Sequence, residues 1–345
     1  MGNTKERTFK VSRSRLFGHD IAMVTFGDLG AKFSYTRFDH TDKPFGESSW
    51  TPGKHRDETA GFSTLVEIRL SRRFPTVRMH PNALWARVKD NLVGASDFQL
   101  GNQKLDEYWN IQGAPIGWTR LILRARGLTE HPALLRMLRG LDLTGQELKL
   151  SYGEWVNTAD DIRARMEAIQ TFIDSISKYF DHPKALFENQ GFRVVDYSVS
   201  KGFECQRIEE GLVVTAKFYA ATEMFHAHVD FEPIEEDLFC IHREGTTAPP
   251  QAGNLPLHLV KTNHPILERT VRIYGSNPDK VSKLMTHDAL VADILPLLHG
   301  YPGSTLTNKM ATVHGLRMKP EEMLQAIEAL TKAVSTVKRV ATDLF

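Results

Sequence analysis

Apolar and polar residues alternate over residues 20–38, 63–70, 75–80 and 104–112, the period expected of half-buried β-strands. Between and after them the period lengthens. Residues 116–126 and 130–140 read as helical, with Pro132 in a first turn, where its missing N–H does no harm. From residue 158 onward, Ile162, Met166, Ile169, Ile173 and Ile176 recur at spacings of three and four, which puts them on one face of a long helix. Thr158 is its expected cap, and Asp160 and Asp161 suit the positive end of its dipole.

The same order of patterns then recurs. "LDEYWNIQG" (105–113) and "LERTVRIYG" (267–275) share an alternating run closed by glycine, 162 positions apart. That shift also carries "LKLSYGEWV" (148–156) onto "MATVHGLRM" (310–318). A shift of 161 lays the helical stripe on Met323, Ile327, Leu330, Val334 and Val337. Upstream, residues 65–81 parallel 228–244 at a shift of 163. A second long helix is expected from "KPEEM", with Pro320, Glu321 and Glu322 in its first turn. Strands gathered into antiparallel hairpins and followed by helices predict an α+β fold. We expect two tandem copies of a mainly antiparallel module with packed helices, each ending in a long helix and related by approximate two-fold pseudo-symmetry. The expected domains are 1–185 and 186–345, with the boundary falling in 182–190. The first copy carries an extra polar excursion at 39–61, a loop long enough to be a recognition element, and Phe45 and Trp50 are its candidate contact residues.

Composition changes the picture little. The 345 residues are 41% hydrophobic and 25% charged, with a net charge of +1, ordinary values for a globular protein. The charge is unevenly divided: residues 1–185 hold 27 Lys and Arg against 22 Asp and Glu, and the rest hold 16 against 20. Such an imbalance favours a partner of matching sign. Two cysteines without CxxC spacing suit a reducing compartment. With no signal-like N-terminus and no apolar run of spanning length, the expected location is the cytoplasm, away from membranes.

One stretch has the look of a site. "FHAHVDFEPIEEDLFCIHRE" (225–244) reads as a hairpin turning at "PIEED", which would set His228 across from His242 and Asp230 across from Cys240. His226 would share that face by the i, i+2 rule. Two imidazoles, a thiolate and a third imidazole are good zinc or copper ligands, so His226, His228, Cys240 and His242 are the candidate metal set. The plainer reading is a half-buried strand with Ala227, Val229 and Phe231 inward and the histidines toward solvent. In the first copy the matching hairpin would hold Ser63, Leu65, Glu67, Val77 and Met79, without a ligand set.

Phosphate-loop, nucleophile-elbow, zincin and dinucleotide-binding motifs are all missing from the sequence. The leading expectation is therefore a non-catalytic binding or scaffold protein that engages a protein partner, without a cofactor. The alternative is a nucleic-acid-associated accessory protein using "SRSR" (12–15), "SRRF" (71–74) and Arg120, Arg124 and Arg126 against phosphate, with Trp118 for stacking. The third is a metal-binding protein built on residues 226–242.

Overall fold

The computed structural model describes residues 8–16, 19–38, 61–81, 96–97, 103–123, 131–135, 138–234, 239–243 and 257–344. Most of the 39–61 excursion, with Phe45 and Trp50, lies outside the described residues, as do Arg124 and Arg126. The chain is a mixed α+β protein with two antiparallel sheets and, among the described residues, eight helices. It divides into two compact units, Met1–Phe180 and Asp181–Phe345. Among the described residues no helix is long and apolar enough to cross a membrane.

In the first unit, strands β1 (Phe9–Leu16), β2 (His19–Phe26) and β3 (Leu29–Phe38) form an antiparallel meander that continues into β4 (Gly61–Pro81). The alternation behaves as the period requires: Ala22, Val24, Phe26, Ala31 and Phe33 are buried while Met23 between them is 52% exposed. The run 20–38 is two strands, because Gly27 and Asp28 turn the chain and pair Phe26 with Leu29. Strand β4 is long and irregular. Its first half pairs with β3 and with the end of β7 (Leu138–Tyr152), and its second half pairs with the start of β7 and with β6 (Trp109–Ala114). Irregularities between Arg69 and Phe74 and between Phe74 and Val77 mark the change of partners. The expected hairpin of 63–70 with 75–80 is thus one continuous strand: bulges re-aim the chain without reversing it, and β7 supplies the ladder for both halves. A short β5 (Ser96–Asp97) closes the sheet beside β6.

Two other expectations are corrected. Residues 104–112 split into α1 (Gln103–Tyr108) and β6, since "QKLDEY" is made mostly of good helix formers. Among the described residues of 130–140, the short α3 (Pro132–Leu135) is the one helix, and β7 begins at Leu138. Helix α2 (Ile116–Ile122) lies between them and buries Trp118 completely against Phe180. The long helix is α4 (Ala159–Asn189). Thr158 accepts the N–H of Asp161 and returns its own hydroxyl proton to that carboxylate, as a cap does. The whole stripe from Ile162 to Ile176 is buried. Each such side chain removed from water contributes about 1.5–3 kcal/mol.

The second unit also opens on an antiparallel meander, of β8 (Arg193–Ser198), β9 (Gly202–Glu209), β10 (Leu212–Tyr219) and β11 (Met224–Asp230). The β9–β10 turn needs two left-handed residues and uses Glu210 (φ 49°) and Gly211 (φ 76°). Beyond β11 the order runs β16 (Met310–Leu316), β15 (Thr305–Thr307), β12 (Phe239–Arg243), β14 (Val271–Gly275) and β13 (His258–Leu259). Here too an expected strand, 267–275, is helix first: α5 (Pro265–Thr270), then β14. Helices α6 (Pro278–Met285) and α7 (Asp288–Gly300) precede β15, and α8 (Pro320–Leu344) ends the unit. Its stripe of Met323, Ile327, Leu330, Val334 and Val337 is fully buried, and the N–H of Lys319 donates to Glu322 at its start.

Candidate functional site

The nine-stranded sheet has one apolar face and one mixed face. Val214, Ala216, Phe218, Phe225, Ala227, Val229, Ala311 and Val313 are buried. Alternate residues of the same strands make up the opposite face, and strand register sorts them into rows. One row is Glu204, Lys217, His226 and His314 on β9, β10, β11 and β16. The next is Gln206, Thr215, His228, Thr312, Thr305, His242 and Arg272, running on through β15 and β12 to β14.

This arrangement breaks up the expected ligand set. Strand β11 pairs with β10 and β16, and β12 pairs with β15 and β14, so the two are not hairpin partners. His228 and His242 do share a row, but Thr312 and Thr305 stand between them, a separation of about 14 Å at the usual strand spacing. The cause is chain order: the β15–β16 hairpin inserts between β11 and β12, and no local pattern announces an insertion from 70 residues downstream. Cys240 and His242 are buried, His242 stacks on Tyr274 (5.8 Å between centroids) and its Nδ1–H donates to the Arg243 carbonyl (3.0 Å). Burial pushes the Cys240 thiol up to about 11, which makes it a poor nucleophile at neutral pH. Among the described residues no group of three or more His, Cys, Asp or Glu is placed to hold one metal ion.

What the fold does bring together is His226 and His314. They are register partners, with ring centroids 4.4 Å apart and Nδ1 to Nδ1 3.0 Å. One ring donates and the other accepts. His228 flanks His226 at 5.5 Å between centroids and faces Asp230 at 3.4 Å. Lys217 is tied to Glu204 at 3.1 Å. Burial, then the neighbouring His314, His228 and Lys217, hold His226 down to about 4, and burial lowers His314 as well. The facing pair, His226 and His314, is therefore neutral imidazole at pH 7. An apolar row, Tyr219, Met224 and Leu316, borders it, with Tyr219 41% and Leu316 69% exposed. His314 drew notice in the sequence only as a member of "MATVHGLRM", because its partnership with His226 depends on which strand lies beside β11.

The first unit has a cleft of about 330 Å³ where Glu154, Trp155 and Val156 meet the start of α4. Its charges are spent on one another: Arg165 pairs with Glu154 and donates to the Ala133 carbonyl, while Trp155 stacks on Tyr35. The cleft reads as a joint between the sheet and the helix.

No family model matches the chain, and no curated protein matches it. Among solved structures it is similar to the crystal structure of the mycobacterial trehalose monomycolate transport factor A, TtfA, with 10% identity and a TM-score of 0.31 over 47% of this chain and 92% of that one.

Proposed function

We propose that this chain is a non-catalytic binding or scaffold protein, formed by tandem duplication of one α+β module, that engages a protein partner through the open face of its second sheet. The observation that carries the reading is the row Tyr219, Met224 and Leu316 beside the imidazole cluster: a largely exposed aliphatic and a tyrosine on rigid strands, bordered on one side by Lys217 and Glu204. Buried apolar anchors inside a polar rim are what protein interfaces use.

Duplication has three supports. Each unit has a four-strand meander joined to the last strand before its terminal helix. The stripes of α4 and α8 are buried at matching positions. In both units a glycine is pressed by a helical side chain six residues on, Gly113 by Thr119 and Gly275 by Val281. The units differ where β4 and β7 run unbroken in one and the chain reverses through β15–β16 in the other. A cytoplasmic setting, where the free thiols of Cys205 and Cys240 stay reduced, belongs to the same proposal.

The nucleic-acid alternative has less behind it. Arg13 of "SRSR" donates to the Asn157 carbonyl, and Arg72 of "SRRF" lies over Phe74 and Phe180. The test is affinity capture from native extract with the full chain and with Tyr219→Glu/Leu316→Glu. A protein partner held by the first and lost by the second is the expected result. Retention of the same partner by both, or a wild-type chain that runs alone as a monomer, would overturn the reading.

A further inference from the structure

We infer that His226 and His314 form a two-imidazole binding site for a divalent transition-metal ion of the Cu2+ or Ni2+ class. The inference rests on the spacing of the two nitrogens and stands apart from the partner reading. Two imidazole nitrogens 3.0 Å apart, each at a normal metal–nitrogen distance of about 2.05 Å, subtend about 94° at a shared ion. That is a cis pair in a square-planar or octahedral shell. A tetrahedral ion such as Zn2+ asks for donors about 3.3 Å apart at the same bond length, so the site favours the right-angled ions. Cu2+ also binds nitrogen donors most strongly among the first-row divalent ions.

The surroundings agree. His226 and His314 are held on adjacent antiparallel strands, each anchored by its neighbours in the buried rows, Phe225 and Ala227 on one side and Val313 on the other, so the strands hold the two rings side by side before an ion arrives. Binding replaces the hydrogen bond between them, the donor ring shifting its proton from Nδ1 to Nε2 so that both Nδ1 atoms can ligate. Charge on this face sets up no net repulsion: Lys217 is matched by Glu204, and Asp230 beside His228 balances Arg272 at the end of the same row of strands. His314 is exposed and His226 half-buried, giving the ion an open approach and leaving its other positions to water or to a donor from outside. The pair replaces the four-residue set expected from residues 226–242. Cys240 and His242 take no part in it.

The test uses the full chain, purified without a tag and titrated with Cu2+. At one equivalent, low-temperature electron paramagnetic resonance should show two equatorial imidazole nitrogens. His226→Gln or His314→Gln should leave one and weaken binding about a hundredfold, because the second imidazole binds intramolecularly. His228→Gln should keep both nitrogens. Circular dichroism melting confirms that each variant folds, and the wild-type spectrum alone tests the claim if a variant does not. A wild-type spectrum without a paired imidazole signature, or a His226→Gln/His314→Gln double variant that keeps it, overturns the assignment.

Discussion

A Cβ placed on Gly275 would stand 2.7 Å from Cγ2 of Val281, closer than two carbons can approach, so the end of β14 and helix α6 meet backbone against side chain. Gly275→Ala forces them apart and should cost about 1–3 kcal/mol. Val281→Ala makes room. Urea denaturation of the double variant should show less destabilisation than the two single changes added together, by at least about 0.5 kcal/mol. Simple additivity would mean that the contact does not set the packing.

Thr64 is completely buried in β4, where its hydroxyl donates to the Glu154 carbonyl (2.7 Å) and accepts the N–H of Val156 (3.0 Å). It pins the segment between β7 and α4. Thr64→Val keeps the volume and abandons both partners, which should cost about 1–3 kcal/mol. Thr64→Ser, which keeps the hydroxyl, should lose less than Thr64→Val in the same denaturation assay, and a valine variant as stable as the wild type would remove the two hydrogen bonds from the account.

Asp293 on α7 accepts from Thr336 (2.7 Å) and pairs with Lys332 (2.8 Å), both on α8. Burial pushes its carboxyl up, but the hydrogen bonds from Lys332 and Thr336, with the nearby cations, outweigh that and hold it below the usual carboxylate range. A carboxyl lowered by folding stabilises above its unfolded pKa and loses that contribution as pH falls through the folded value. The wild type should therefore lose its advantage over Asp293→Asn as pH drops below about 4. At neutral pH that advantage should be about 1–2 kcal/mol. Lys332 is exposed, so added salt should trim its share. A gap that is unchanged by acid would remove the clamp.

Burial pushes Cys205 up to about 12, with Glu204 adding to it, and Cys240 up to about 11. At pH 8 the reactive thiolate is depleted by about two orders of magnitude or more relative to a free cysteine. Iodoacetamide should leave both thiols intact in the native chain and label both in guanidinium, as read by intact mass. Rapid native labelling of either would place it nearer solvent than the packing of β9 and β12 allows.

Periodicity made the elements that bury one face legible: the strands of the meanders, and both long helices down to the Thr158 cap and the buried stripes. It failed where the signal is short or non-local. "QKLDEY" and "PILERT" were absorbed into the strands that follow them, because one turn of helix carries too few residues to display a period. The continuity of β4 escaped because "SRRFPTV" holds a proline and two arginines, which read as a turn. The imidazole site was half legible: His226 and His228 stand on the open face as alternation required, but their true neighbour, His314, comes from a strand whose place is fixed by tertiary packing.

Strand β4 passes from one set of partners to the next as one piece of backbone from Gly61 to Pro81, whereas in the second sheet the chain reverses through the four residues from Thr307 to Met310. The two sheets should therefore answer a mechanical load differently. Tension along the first is carried past the register shifts by covalent bonds, and both halves of β4 must shear together. In the second, the β15–β16 ladder is short enough to peel, so under force that unit has a preferred place to yield.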